Sequence, residues 1–484
     1  MRSYKEQLDL IMQKKGVADR KRKRNRRILF STVALVLCLS VTLSFALIGI
    51  KTKNREDCVI GEEPPVTGHD KPNSSVKDEY DYLYSNTENA DGVISGSNEM
   101  IETEEAGEII EGDCADDKMD ILLSDRDAML SGSESNKTPS AGTLSGGEIK
   151  DNDDYSAWIK TIENEGWEAV DLIWKLPTIK RITVKTEGCA GAVVQLLDAQ
   201  GKALYGAVTN AEGVAYLFVD NQAQIKTVAV IAGGKSATQS YNGIEYSFDM
   251  EKQGAPQKLD LMFVVDTTGS MGDELEYLKA EIADVINRIS EKDISVRTSV
   301  NFYRDEGDEY VVKYHGFNTD SQGVQLIVTE QRADGGGDYE EAVHTALHNA
   351  VYEHAWEKDS VKVMFLVLDA PPHQRDADIA TFSKAVKDAA AMGIRIVPVA
   401  SSGVNKLTEG LLRAVALTTG GTYTFLTDHS GVGDTHLPPS TESYDVEPLN
   451  DMLVRIALEY CGINTEKTQY TQSYDDTQST EYVQ

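Results

Sequence analysis

The chain is poor in positive charge and in cysteine, and each shortage excludes a class of protein. It has 47 lysine and arginine residues against 79 aspartate and glutamate residues, so its formal net charge is −32. Because such a surface repels phosphate, the composition excludes a nucleic-acid-binding protein. Only five residues are cysteine, and their wide spacing fits no metal cluster. Free thiols are favoured over a disulfide such as Cys189 with Cys461, which sequence alone does not assign.

Several catalytic signatures are also missing. The chain has no Gly-x-Ser-x-Gly motif, no Cys/His dyad and no phosphate-binding loop followed by Lys-Ser/Thr. His344 and His348 would share a helix face, but Thr345 occupies the place of the glutamate that zinc proteases need. We expect this histidine pair to be solvated or packed against the helix. The sequence therefore predicts a protein that is not an enzyme.

Long apolar runs are scarce, and the clearest one lies near the start of the chain. Residues 28–50 contain no charged side chain and follow a basic segment, 1–27. A helix of about 23 residues is ~34 Å long, which spans a hydrocarbon core of ~30 Å. We predict a single-pass plasma-membrane anchor with residues 1–27 in the cytoplasm and the remainder outside. Secretion after signal cleavage is the alternative, although the apolar core of a signal peptide is usually shorter.

The segments that flank the predicted folded regions are polar. Residues 51–154 are acidic and poor in large apolar side chains, which predicts a disordered linker that holds later domains away from the membrane. Residues 155–177 contain three tryptophans among helix-compatible residues and predict a short helical segment packed on the folded region C-terminal to it. The polar segment 463–484 is predicted to be a disordered tail.

Residues 178–250 predict a small antiparallel β-sandwich. Short strand candidates alternate with turn signals at 198–201 and 210–213, and no helical periodicity interrupts them. This order of strands and Asp/Asn-x-x-Gly turns resembles the carboxypeptidase regulatory-like and Cna B-type modules of surface proteins. The resemblance implies a rigid spacer, and no catalytic constellation occurs in it.

Residues 257–462 alternate strand and helix, which predicts an α/β domain with a mainly parallel sheet and helices on both faces. Ligands of such sheets bind at the carboxyl ends of the strands. The apolar strand 259–265 is followed there by Asp266, Thr268 and Ser270. A second buried strand ends before Asp369, and a glycine-rich loop, 335–337, precedes Asp338. These hard oxygen ligands suit magnesium or a similar cation.

Together these motifs resemble the metal-ion-dependent adhesion site of von Willebrand factor type A domains. The resemblance implies a Rossmann-like fold with one divalent cation, Mg²⁺ or else Mn²⁺ or Ca²⁺. It also implies that an acidic group of a protein or extracellular-matrix partner completes the coordination. Thr268 and Ser270 would bind through their hydroxyls, and Asp266 and Asp369 directly or through water. Asp338, which could also cap a helix beginning near Tyr339, stands where many members have threonine, so we expect tighter metal retention and weaker partner capture.

Three further residues are predicted to line the rim of this site: Arg304, Asp305 and His373. The function predicted is cation-dependent adhesion at the cell surface, and the alternative is a membrane-anchored regulatory or assembly subunit of an enzyme complex. A phosphohydrolase of the haloacid-dehalogenase type, with Asp266 as nucleophile, is disfavoured. Its motif needs lysine at position 267, and the residues after Asp369 are Ala-Pro-Pro rather than a second acid.

Overall fold

The computed structural model describes residues 139–470. The predicted cytoplasmic segment 1–27, the predicted anchor 28–50, most of the predicted linker and residues 471–484 lie outside the described residues. Between residues 139 and 470, no helix is both long enough and apolar enough to cross a membrane.

The described residues form three sheets and eight α-helices. The strands are β1 (Ser145–Ile149), β2 (Arg181–Lys185), β3 (Val193–Leu197), β4 (Ala203–Val208), β5 (Val214–Phe218), β6 (Thr227–Ala232), β7 (Lys235–Ser240), β8 (Glu245–Ser247), β9 (Lys258–Asp266), β10 (Ser295–Tyr303), β11 (Val312–Lys313), β12 (Val361–Leu368), β13 (Ile394–Ala400), β14 (Tyr423–Leu426) and β15 (Val446–Pro448). The helices are α1 (Tyr155–Glu165), α2 (Glu168–Trp174), α3 (Leu275–Ser290), α4 (Ser321–Thr329), α5 (Val343–Tyr352), α6 (Asp376–Met392), α7 (Lys406–Thr419) and α8 (Leu449–Tyr460).

The largest sheet has the strand order β11-β10-β9-β12-β13-β14-β1-β15. Five neighbouring strands in it are parallel: β10, β9, β12, β13 and β14. Its apolar strands carry buried side chains on both faces, because each face packs against helices. Helices α5, α6 and α7 cover one face, and α3, α4 and α8 cover the other. This confirms the predicted mixed α/β sheet with helices on both faces.

Strand β1 corrects the predicted extent of the disordered linker. Residues 145–149 lie inside the segment predicted to be disordered to residue 154, yet they pair antiparallel with both β14 and β15. A Cβ at Gly146 would lie 2.7 Å from the Met452 side chain, and one at Gly147 would lie 2.4 Å from the Phe425 ring. The glycines that lowered the predicted order are therefore required by close packing within the sheet.

The tryptophan-rich segment packs against the α/β domain. It forms α1 and α2, and Trp158, Trp167 and Trp174 are all buried in the core that also contains α6 and α7. A Cβ on Gly410 of α7 would approach the Trp167 ring to 2.7 Å. The close approach of the start of α2 to α7 therefore depends on Gly410.

Two small sheets enclose a second core where the sequence predicts a sandwich. Their strand orders are β5-β2-β8 and β4-β3-β6-β7, and the buried side chains of both meet between them. The pairs are antiparallel except β2 with β8, which is parallel and departs from the prediction. Asp198 and Asn210 close the predicted turns by accepting backbone hydrogen bonds from residues two and four positions ahead. Cys189, in this region, and Cys461, at the end of α8, are both buried free thiols.

The first part of the predicted disordered tail is also in contact with the domain. The Tyr470 backbone N–H donates to Val446 at 2.9 Å, and its hydroxyl donates to the Thr143 carbonyl at 3.2 Å. Lys467 forms an ion pair with Asp445 at 2.9 Å. Polar composition predicted disorder from residue 463, but these hydrogen bonds attach residues up to 470 to the sheet edge.

Candidate metal centre

The two strand-end aspartates lie side by side. Strand β9 ends at Asp266, and β12, its parallel neighbour, ends one residue before Asp369. The register pairs Val265 with Val367, so both carboxyl groups project from the same edge of the sheet. Both residues are buried, with Asp266 fully inaccessible to solvent.

The first motif turns its alternate side chains toward one point. Asp266 Oδ1 accepts hydrogen bonds from the Thr268 N–H at 2.9 Å and the Thr268 hydroxyl at 2.7 Å. The hydroxyls of Thr268 and Ser270 lie 3.2 Å apart, and Ser270 also donates to the Asp369 carboxylate. Thr267 points away and binds the Tyr303 carbonyl at 3.0 Å. The structure thus brings together four of the five residues predicted as metal ligands.

The glycine-rich loop packs directly on this motif. Gly269 N–H donates to the Gly335 carbonyl at 3.2 Å, and Gly335 and Gly336 have φ of +79° and +77°. A Cβ on Gly335 would lie 2.5 Å from the Asp308 carboxylate, so side chains are excluded at that position. A Cβ on Gly336 would be 3.2 Å from Glu341 Oε1 and 3.4 Å from Thr268 Cβ. The loop therefore brings Glu341 next to the first motif.

Sequence reasoning missed Glu341. It is 3 % exposed, and its N–H donates to the Pro371 carbonyl at 3.0 Å, just after Asp369. The available signal was an acidic residue directly before the apolar start of α5, where Ala342 and Val343 are fully buried. A carboxylate at the buried end of a helix needs a partner, and the sequence offers no nearby basic residue for it.

Three buried carboxylates of this centre each keep one oxygen without a hydrogen-bond partner among the described residues. These oxygens are Asp266 Oδ2, Glu341 Oε2 and Asp369 Oδ1, although the buried Tyr303 hydroxyl lies close enough to Asp266 to lower its pKa as a hydrogen-bond donor. Burial, reinforced by repulsion from Asp369, raises the pKa of Asp266 to about 7. Burial and the charges of Asp266 and Asp305 raise the pKa of Glu341 to about 9. Burial raises the pKa of Asp369 to about 6, although the hydrogen bond from Ser270 lowers it. A nearby cation would relieve this repulsion, and oxygen donors suit a hard divalent ion. The ligand atoms of these three carboxylates are not among the groups that lie within 4.8 Å of one another, so joint coordination would require them to move closer.

Asp338 lies elsewhere. Helix α5 begins at Val343, so the predicted helix cap at Asp338 is wrong. Asp338 is exposed, and its carboxylate shares a site with Asp305 and His373, whose ligand atoms lie within 4.8 Å of one another. His373 Nε2 is 2.6 Å from Asp305 Oδ1. Two of the predicted rim residues therefore meet each other and Asp338.

The third predicted rim residue, Arg304, is buried. It donates to the carbonyls of Thr267 at 3.2 Å and Arg332 at 2.9 Å and packs over the Tyr310 ring. These bonds join the loop of the first motif to the segment that leads into the glycine-rich loop. Arg304 thus positions both loops and presents no free charge to a ligand.

A second mixed cluster surrounds His344, which is buried as predicted for a packed helix residue. His344 Nε2 lies 3.4 Å from Asp378 and 3.8 Å from Glu306. Arg375 bridges the same two carboxylates. His348 is exposed and contacts the Tyr352 ring edge-on at 4.6 Å. The two histidines therefore point to different neighbours.

The fold and this centre define a class of domain. Residues 260–435 match the family model of the von Willebrand factor type A domain, so the chain contains a domain of this class. An ariadne-like RING finger protein, R811, of Acanthamoeba polyphaga mimivirus is 32 % identical over 120 residues, which cover 24 % of this chain and 11 % of the relative. The alpha-protein kinase vwkA of Dictyostelium discoideum is 29 % identical over 122 residues, covering 25 % and 19 %. The matched segment thus spans about a tenth to a fifth of these relatives.

Two solved structures are also similar. The conserved hypothetical protein BatB from Bacteroides thetaiotaomicron is 11 % identical with a TM-score of 0.30, covering 42 % of this chain and 99 % of that chain. An aerotolerance-related membrane protein from Bacteroides fragilis is 14 % identical with a TM-score of 0.29, covering 42 % and 100 %.

Proposed function

We propose that this chain is a divalent-cation-dependent protein-binding module that captures an acidic group of its partner. The observation that carries the proposal is the set of three buried carboxylate oxygens, on Asp266, Glu341 and Asp369, that have no hydrogen-bond partner among the described residues. Unpaired buried carboxylates are costly, and they persist where a ligand offsets the cost. Mg²⁺, with Mn²⁺ or Ca²⁺ as substitutes, matches their chemistry.

The residues proposed to hold the cation are the Thr268 and Ser270 hydroxyls and the carboxylates of Asp266, Asp369 and Glu341. A bound divalent cation would supply an electrophilic coordination position for a partner's carboxylate. Thr268 is preorganised by its two hydrogen bonds to Asp266, and Arg304 fixes the loop behind it. Ser270 is exposed, which gives a partner access to this side of the site.

Glu341 replaces Asp338 as the third carboxylate of the proposed set. Three carboxylates exceed the two positive charges of the cation, so the site keeps negative charge after metal binding. We therefore keep the expectation of firm metal retention and weak capture of an acidic partner, now with Glu341 as its cause.

The display of this domain at the cell surface is also a proposal. The apolar segment 28–50 would anchor the chain, the acidic segment after it would extend from an anionic membrane, and the two-sheet module would act as a spacer. Its turn pattern supports a carboxypeptidase regulatory-like or Cna B-type origin. No catalytic step is proposed.

Affinity capture with and without EDTA tests the function. Full-length protein on beads should retain an extracellular protein or matrix ligand in Mg²⁺, release it in EDTA, and lose retention in Asp266→Ala. The matched control is Asp334→Ala, because Asp334 is an exposed aspartate on the neighbouring loop. Retention unaffected by EDTA would contradict the proposal. Specific retention of a membrane enzyme complex would favour the regulatory alternative, and phosphate release by the purified protein would favour the hydrolase.

A further inference from the structure

The opposite end of the main sheet holds two cavities between the α/β domain and the two-sheet module. Their volumes are about 330 Å³ and 640 Å³. They share six lining residues, Val208, Asn210, Ala211, Gly393, Arg395 and Tyr460. The larger cavity is of the size that small-molecule sites usually have.

Arg395 is a buried cation without an ion pair among the described residues. Only 8 % of it is exposed, and one guanidinium N–H donates to the Gly420 carbonyl at a long 3.4 Å. Its other contact is the Tyr460 ring, whose centroid lies 5.2 Å from the guanidinium carbon. A guanidinium has five N–H donors. One hydrogen bond, to Gly420, leaves most of them available at the two cavities that Arg395 lines.

The three other buried arginines among the described residues are paired with carboxylates, and one of them is Arg304, which lies 3.6 Å from Glu309. Arg413 binds both oxygens of Asp151 at 2.9 Å and 2.6 Å. Arg455 contacts Glu447 at 2.6 Å and Glu148 at 2.9 Å. Arg395 departs from this pattern. A buried charge that lacks a partner costs free energy, so its unpaired state calls for an explanation.

Lys362 adds a second buried cation to the larger cavity. It is 8 % exposed and donates to the carbonyls of Ser360 at 3.1 Å and Lys358 at 3.3 Å, with no ion pair among the described residues. Five charged groups act on it: Arg395, Arg297, Asp260, Asp359 and Glu357. Asp260 is held by Arg297, and Asp359, the single acidic residue of the larger cavity's lining, is mostly exposed. In a chain of net charge −32, this cavity is positive.

Much of the remaining lining of the larger cavity is apolar, beside the polar residues Thr209, Asn210, Gln253, Lys358 and Ser360. Trp356, Met392, Pro256 and Val361 form its walls. Lys362 and Arg395 leave opposite faces of the sheet, since the register pairs Lys362 with Ile394 and Arg395 with Val363, yet both line this cavity. A lining that combines cations with apolar side chains is complementary to a ligand with an anionic head and an apolar body.

We propose that the larger cavity binds a small amphiphilic oxyanion, a phosphate ester or a carboxylate. Arg395 pairs with its charged group, Lys362 adds positive charge at the same cavity, and apolar lining residues such as Trp356 and Met392 contact its apolar part. The planar guanidinium presents parallel N–H donors that match two oxygens of either anion. This site lies at the end of the sheet away from Asp266 and is independent of the proposed cation centre.

Calorimetric titration of the purified full-length protein, freed of metal on a chelating resin and transferred to metal-free buffer, tests the site. Metal that could bind an anion elsewhere is thereby removed without adding a competing carboxylate. The probes are phenyl phosphate, phenylacetate and the neutral benzyl alcohol. We expect saturable binding of at least one anion and none of the alcohol, and the two anions distinguish phosphate from carboxylate recognition. No saturable binding of either anion, or equal binding of the alcohol, would overturn the proposal.

Variants locate the binding. Arg395→Gln should weaken the preferred anion about tenfold or more, since hydrogen bonds to charged groups contribute strongly when buried. Arg332→Gln, which makes the same change at an exposed arginine, should leave the affinity unchanged. Lys362→Gln provides a second test if Arg395→Gln fails to fold. Affinity unchanged in every folded cavity variant would contradict the assignment.

Discussion

The two ends of the main sheet differ in the sign of their unpaired buried charge. At the carboxyl end, Asp266, Glu341 and Asp369 keep oxygens without partners among the described residues. At the amino end, Arg395 and Lys362 form no ion pair within residues 139–470. Strand β12 carries Lys362 near its start and is followed by Asp369, so it connects the two ends for which we propose opposite ligands.

Other buried charges of the domain form ion pairs that hold parts of the fold together. Arg413 joins Asp151 to α7, and Arg455 joins Glu148 of β1 to Glu447 of β15. These pairs attach the segment before α1 to the domain. Pairing therefore separates the charges that hold the fold together from those to which we assign ligands.

Breaking a structural pair should have the largest effect on stability. Asp151→Ala leaves Arg413 buried without its carboxylate, and we expect a loss of about 3–5 kcal/mol in the free energy of unfolding. Denaturant titration measures it, with Asp153→Ala, an exposed neighbour, as the control. If both variants lost the same amount, buried pairing would not explain the attachment of this segment.

Removing one of the unpaired carboxylates should increase the free energy of unfolding when no metal is present. Asp266→Asn relieves repulsion with Asp369, so in EDTA the variant should be more stable than wild type by about 1 kcal/mol. In Mg²⁺ at about one hundred times its Kd, wild type should gain about 2.7 kcal/mol and the variant almost nothing. Thermal melts in both conditions test this. An equal gain from Mg²⁺ in the two proteins would contradict the assignment of the site.

His354 is a buried group that the fold keeps neutral, and it should make stability depend on pH. Burial lowers the pKa of His354 to about 4, below its ordinary value of 6.5. Between pH 6.5 and 4, His354 is therefore protonated in the unfolded chain but neutral in the folded chain. Because the unfolded state binds more protons, the free energy of unfolding falls as the pH falls through this window. We expect His354→Gln to remove about 2 kcal/mol of that decrease. The exposed His348→Gln should leave the slope unchanged in denaturant titrations across the window, and an unchanged slope in His354→Gln would contradict this cause.

Sequence patterns predicted the long strands and most helices of the α/β domain because its apolar runs are long and its turns are marked. They did not predict α4 or the short strands β11 and β15. They predicted Asp266, Thr268, Ser270 and Asp369 as neighbours, since parallel strands end at one edge of a sheet. The sequence did not predict strand β1, because its glycine and polar residues favour disorder in isolation. In the fold, Gly146 and Gly147 are required by close packing against Met452 and Phe425.

Glu341 and Asp338 show a second limit of sequence reasoning. Both follow the same glycine-rich loop, and spacing alone favoured the nearer one. The left-handed Gly335 and Gly336 turn the chain so that Glu341 faces the centre and Asp338 faces solvent. That direction depends on the contact of the loop with Asp308 and Gly269, which is a tertiary feature. The unpaired state of Arg395 likewise depends on which residues the fold places around it.

Calorimetric titration of Mn²⁺ into wild type, Glu341→Gln and Asp338→Asn tests the central claim most directly. Each variant replaces one carboxylate by its amide, so size and hydrogen-bonding capacity are matched. We predict that Glu341→Gln weakens cation binding about tenfold or more, because it loses a charge-assisted ligand. Asp338→Asn should stay within about threefold of wild type, since an exposed charge is screened. The reverse order, with Asp338→Asn weakened and Glu341→Gln unaffected, would contradict the account.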